Sequence, residues 1–236
     1  TNSVYRVSAP VTQPLSFKAT PDIYSAQITN GTAIGGIPIN PFVGADQFYY
    51  YGIFGQATTT AHIDAEHPFA GPSGHETLLG VDTSDPNLRF NDPSALGSTG
   101  WHSTAASMTI AGGGYDLSHP PYSVSYVKAG IAPLTTLGSG AIATTLNPDG
   151  SFETTDKSFF LPYKHFAEMT TTRTGIYGFT IDNQPTNVIN SSWGGTEATA
   201  GAGSYSVAID GLARANPHTA FVFSAGNSGP LGGTVG

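Results

Sequence analysis

Residues 203–223, GSYSVAIDGLARANPHTAFVF, decide the fold. Tyr205, Ala208, Ile209, Leu212 and Ala213 fall at i, i+3, i+4, i+7 and i+8, the spacing of a helix with one buried face. Asn216-Pro217 stops that helix, because proline disfavours the helical region for the residue before it. Thr219 to Phe223 is then apolar and β-prone and reads as a strand, expected to be fully buried. Upstream, Val188 and Ile189 begin another short strand, and the paired glycines of Asn190-Ser191-Ser192-Trp193-Gly194-Gly195 turn its continuation into a loop. Strand, helix, strand implies a right-handed crossover and a parallel sheet, so the expected fold class is α/β with helices flanking that sheet.

Further out, Ala57 to Asp64, ATTTAHID, is rich in β-branched residues and stops at an acid, which reads as a strand delivering a carboxylate at its end. After Trp101, the run HSTAASMTIAGGG offers small helix-compatible residues and then three glycines that end a helix, placing His102 in its first turn. Ligand sites of parallel sheets lie beyond the carboxyl ends of the strands, where Asp64, Ser192 and Asn227 all fall. Taken singly, each has a plainer reading: Asp64 as a strand-end turn former, His102 as a helix-start residue satisfied by backbone, Asn227 between Gly226 and Ser228 as a turn residue.

The composition narrows the function classes. The 236 residues suit one domain or at most two, with 39% hydrophobic and only 10% charged residues. Eight Lys and Arg against sixteen Asp and Glu leave a net charge of −8, which cannot neutralise a phosphate backbone and disfavours an anionic membrane surface. Nucleic acid and membrane are therefore not expected as partners, and no apolar run reaches the roughly 18–20 residues of a spanning helix. Zero cysteines exclude disulfides, thiolate metal sites and a cysteine nucleophile. The start, TNSVYRVSAP, lacks the basic stretch and apolar run of a secretion signal, whereas 30 glycines, 17 prolines and few lysines fit a rigid extracellular protein; the expectation is a secreted one. Residues 1–50 alternate short apolar stretches with Pro and Gly and read as an extension wrapping a domain over residues 51–236. The aromatic run Phe48-Tyr49-Tyr50-Tyr51 is read as packing rather than a carbohydrate platform.

Five stretches, in order along the chain, resemble the subtilisin-like serine proteases, the subtilases. Thr60 to Asp64, TAHID, is similar to the V-A-V-I-D strand carrying the family's catalytic Asp, and His102 to Gly112, HSTAASMTIAG, to the helix H-G-T-H-V-A-x-x-I-A-G opened by the catalytic His. Gly130 to Pro133, GIAP, matches the G-V-A-P turn. Val188 to Gly195, VINSSWGG, resembles V-I-N-M-S-x-G-G, whose S-x-G segment pairs with substrate backbone, and Ser224 to Gly229, SAGNSG, resembles A-A-G-N-x-G, whose Asn serves the oxyanion hole.

The resemblance implies a serine endopeptidase with a subtilisin-like sheet, incomplete at its C-terminus. It makes Asp64, His102 and Asn227 catalytic, and Ser192, Trp193, Gly194, Ser224, Ala225 and Gly226 substrate-binding, with Trp193 walling a subsite. The chemistry requires these types. A serine hydroxyl attacks a peptide carbonyl when a neutral imidazole takes its proton, a carboxylate fixes that imidazole's tautomer, and an amide donor meets the oxyanion.

Three departures stand out. His102-Ser103-Thr104-Ala105 keeps the first His of H-G-T-H and loses the second. The usual D-S/T-G becomes Asp64-Ala65-Glu66-His67, which leaves Glu66 and Asp82 as fallback acids. No G-T-S-x-A nucleophile segment occurs. The expectation is that the serine lies on a C-terminal companion portion and that this chain alone is inactive; the alternative is an inert subtilase-like module that binds peptides or serves a structural role. The cofactor and metal expectation is none. Two calcium alternatives remain: the oxygen-rich turn Asn147 to Glu153, whose spacing departs from the D-x-[DN]-x-[DN]-G pattern, and the trio Asp82, Asp85 and Asp92. His62, His67, His75, His119, His165 and His218 lack the HExxH arrangement of zinc hydrolases and read as surface or structural.

Overall fold

The computed structural model describes residues 43–78, 81–113, 130–174, 180–195 and 203–226. Most of the extension expected over residues 1–50 lies outside them. A five-stranded parallel sheet forms the centre, made of β1 (Thr59–Asp64), β2 (Arg89–Asn91), β3 (Thr136–Ala141), β8 (Val188–Ser191) and β9 (Ala220–Phe223) in the order β2-β3-β1-β8-β9. Two small antiparallel pairs stand apart from it: β4 (Thr145–Leu146) with β5 (Phe152–Glu153), and β6 (Thr170–Thr174) with β7 (Thr180–Pro185). The helices are α1 (Ala45–Tyr50), α2 (Trp101–Ala111), α3 (Asp156–Glu168) and α4 (Ser204–Ala215).

β1 is buried along its whole length and pairs with β3 on one side and β8 on the other, Ile63 facing Gly140 and Ser191. Side chains alternate across a strand, so Ala61 and Ile63 enter one core and Thr60, His62 and Asp64 point to the opposite face. The first core gathers Ala61, Ile63, Ile189, Phe159, Tyr163 and Phe166, closed by Ile209 and Leu212 of α4. Burying each large apolar side chain contributes roughly 1.5–3 kcal/mol. The second, smaller core joins Leu137 of β3 to Met108 and Ala111 of α2 and to Leu78.

β3, TLGSGA, and α3 escaped the sequence reading. Two glycines in a buried strand and Pro162 inside a helix are both contrary to local propensity. Packing explains them together: a Cβ on Gly138 would lie 2.6 Å from the Phe166 ring, and one on Gly140 3.0 Å from Pro162. α3 lies so close on β3 that only glycine fits.

Three expectations need correction. β8 runs on through Ser191, because its glycines come only at positions 194 and 195. α1 occupies a stretch read as irregular; it is held by Tyr49, which stacks on Phe54 and donates its hydroxyl to the carbonyl of Ile131 at 2.7 Å. Tyr49 is thus packing as expected, whereas Phe48, Tyr50 and Tyr51 are exposed. Finally, β9 is not fully buried: Val222 is 46% and Phe223 40% exposed. β9 is the sheet's edge among the described strands, and apolar composition alone does not tell an edge strand from a covered one.

Candidate active site

Asp64 ends β1, buried at 3% exposure, at the carboxyl edge of the sheet. Its Oδ1 accepts the Ala65 backbone N–H at 2.7 Å. Its Oδ2 accepts two imidazoles: His102 Nδ1 at 2.7 Å and His62 Nε2 at 3.1 Å. Burial alone would raise the Asp64 pKa, but the hydrogen bonds from His102 and His62 hold this carboxyl well below the usual range. An ionised acid is fixed in place.

His102 sits in the first turn of α2, its side chain half exposed. The hydrogen bond to Asp64 raises its pKa above the ordinary imidazole value; partial burial works against that rise, and the carboxylate's charge adds to it. With Nδ1 committed to Asp64, the neutral ring offers Nε2 as a proton acceptor, and Nε2 has no partner among the described residues. Trp101, largely exposed, stands edge-on to the His102 ring.

The altered loop after Asp64 anchors the helix that carries His102. His67 donates its backbone N–H to Ser98 O and accepts that of Gly100, forming an isolated bridge with Thr99 just before α2. Its buried ring is bound at both nitrogens, to Ser139 Oγ at 2.7 Å and Asn91 Oδ1 at 3.2 Å. Burial, with the nearby Arg89 charge, pushes the His67 pKa down to about 4. Glu66 Oε1 accepts from Ser98 Oγ, and exposed Asp82 accepts from Ser84 and the Asp85 N–H. Neither fallback acid pairs with His102; Asp64 does.

β8 ends next to β1, and β9 ends on the far side of β8, all at the same edge of the sheet as Asp64. Ser224 donates its backbone N–H to Ser191 O at 3.0 Å and its hydroxyl to Trp193 O at 3.1 Å, tying the two loops together. Gly194 is exposed, and a Cβ added there would meet nothing within 4 Å. Ala225 and Gly226 are also exposed, and Gly226 has φ +75°, a left-handed conformation that suits glycine. The indole of Trp193, partly buried, packs edge-on against Phe152 and Phe159 at the main core. Asn227 lies outside the described residues.

His62 and Asn190 are site residues that the sequence reading missed. Asn190 Nδ2 donates to His62 Nδ1 at 3.0 Å and to Ser192 Oγ at 2.9 Å. The available signal was the period of two: His62 precedes Asp64 by two positions on a strand, so the two share a face.

Asp149, in the oxygen-rich turn considered for calcium, accepts the backbone N–H and the hydroxyl of Ser151 on Oδ1. Among the described residues, no group of three or more His, Cys, Asp or Glu is placed to hold a metal ion. No described helix is long and apolar enough to cross a membrane.

None of the curated proteins compared with the chain matches it. Among solved structures it is similar to MycP1 from the ESX-1 type VII secretion system and to MycP1 from Mycobacterium smegmatis. Each is 18% identical with a TM-score of 0.47, covering 80% of this chain and 45% of that one. MycP1 with the N-terminal propeptide removed is 20% identical with a TM-score of 0.44, covering 81% and 49%. The chain spans less than half the length of these structures. The sequence model of the Subtilase family matches residues 62–236, a range that includes Asp64, His102, Ser192 and Asn227. On that match the chain belongs to the subtilase family.

Proposed function

We propose that these residues form the N-terminal part of a subtilisin-type serine endopeptidase, secreted and acting on peptide or protein substrates. The supporting observation is the 2.7 Å contact between His102 Nδ1 and Asp64 Oδ2 at the carboxyl edge of the sheet, the same edge from which the loops after β8 and β9 leave. In this reading His102 Nε2 takes the proton of a serine hydroxyl as it attacks the scissile carbonyl and returns it to the leaving amine. Asp64 holds the tautomer and steadies the imidazolium. Asn227 donates to the oxyanion, a contribution of about 2.7–4 kcal/mol, the magnitude found when such a donor is removed from a subtilisin. Extended substrate adds as a strand along Ser192, Trp193 and Gly194 and against Ser224, Ala225 and Gly226. The nucleophile comes from polypeptide outside residues 1–236, in a G-T-S-x-A context, and these residues alone are inert. No cofactor is required.

A fluorophosphonate probe applied to the natively expressed protein tests this. Labelling is expected on a serine in a G-T-S-x-A peptide located by mass spectrometry, and it disappears in His102→Ala. Absence of labelling favours the inert peptide-binding module. Full proteolysis by a homogeneous species of these 236 residues refutes the companion portion.

A further inference from the structure

His62 is fully buried in the middle of β1, where an aliphatic side chain would fill the volume without needing partners. A buried imidazole is tolerated when both nitrogens are satisfied, and both are. Asp64 Oδ2 faces Nε2, and an ionised carboxylate only accepts, so Nε2 carries the hydrogen. Nδ1 receives the Asn190 amide, which also donates to Ser192 Oγ. β1 and β8 are paired in register here, His62 opposite Asn190, so the backbone fixes this geometry.

From this we infer that His62 is a positioning residue for the reaction proposed above: a second imidazole donor that holds Asp64 from behind and ties its carboxylate, through Asn190, to β8 and to Ser192 just beyond its end. The inference rests on that functional reading. The ionisable groups at the carboxylate are His62 on its own strand and His102 from α2. Elsewhere, Tyr163 of α3 bonds Ser191 on the other face of the sheet, Glu66 is taken by Ser98, and His67 by Ser139 and Asn91. Sharing Oδ2 between two donors weakens the pull of the carboxylate on His102. If His62 no longer donates, Asp64 stays anchored by the Ala65 N–H, and its charge falls more fully on His102.

The test is the pH profile of fluorophosphonate labelling of the natively expressed protein. In His62→Leu the acid-side midpoint moves upward by about half to one pH unit, a fraction of the strength of a hydrogen bond to a charged acceptor. In His62→Gln, which restores an N–H donor, it returns towards wild type. A purely structural role lowers yield or stability and leaves the midpoint where it is, so an unmoved midpoint in folded His62→Leu overturns the inference. Absence of labelling in the wild-type protein defeats the functional reading instead. If His62→Leu does not fold, the ¹⁵N spectrum of the wild-type imidazoles decides: Nε2 protonated and Nδ1 accepting supports the inference, and an unprotonated His62 Nε2 overturns it.

Discussion

Asp64 Oδ2 and His102 Nδ1 lie 2.7 Å apart, closing 38 residues of sequence between the end of a buried strand and the first turn of a helix. Such a contact fixes which nitrogen of His102 carries the proton. Asp64→Asn presents an amide whose hydrogens favour the wrong tautomer, so fluorophosphonate labelling of the natively expressed protein should slow by about 10⁴-fold. Glu66→Gln keeps an acceptor for Ser98 and should label at the wild-type rate. Equal losses in both variants would remove Asp64 from its proposed role.

His67 gives the fold a pH dependence of its own. Its folded pKa of about 4 lies below the ordinary imidazole value of 6.5, so the unfolded chain binds more protons between the two. The stability this group contributes is fully present above about pH 6.5 and is lost as pH falls towards 4. The total is on the order of 3 kcal/mol. Urea midpoints compared at about pH 7 and pH 4.5 should fall in the wild type and fall markedly less in His67→Gln. Parallel losses in the two proteins would show that the acid sensitivity lies elsewhere.

Two glycine-to-alanine changes should have opposite signs. Gly138→Ala drives a methyl to within 2.6 Å of the Phe166 ring and should cost about 1–3 kcal/mol in chemical denaturation. Gly211 lies on the exposed side of α4 with open space around it, and Gly211→Ala should stabilise by up to about 1 kcal/mol. Matching effects would mean that α3 does not press on β3 as described.

The legible parts of the chain were those where local pattern and tertiary environment agree. The 3.6-residue spacing of Tyr205, Ile209 and Leu212 marked α4, and the three glycines after Ala111 marked the end of α2. β3 was illegible because its glycines answer to Phe166 and Pro162, residues more than twenty positions away. The exposure of Phe223 was illegible for the converse reason, since β-propensity describes a strand and not what lies beside it. At the site, the resemblance singled out Asp64 and His102 as a pair, and the structure brings them together. It offered nothing for His62, whose importance comes from Asn190, 128 residues away on the neighbouring strand.

The proposed chemistry depends most on the carboxylate's hold over the base, and the titration of His102 by NMR, in the wild type and in Asp64→Asn, measures that hold directly. The wild-type ring should titrate above the ordinary imidazole pKa, and the substitution should bring it down. A wild-type His102 with an ordinary pKa, or one that Asp64→Asn leaves unchanged, would contradict the pairing of the two residues.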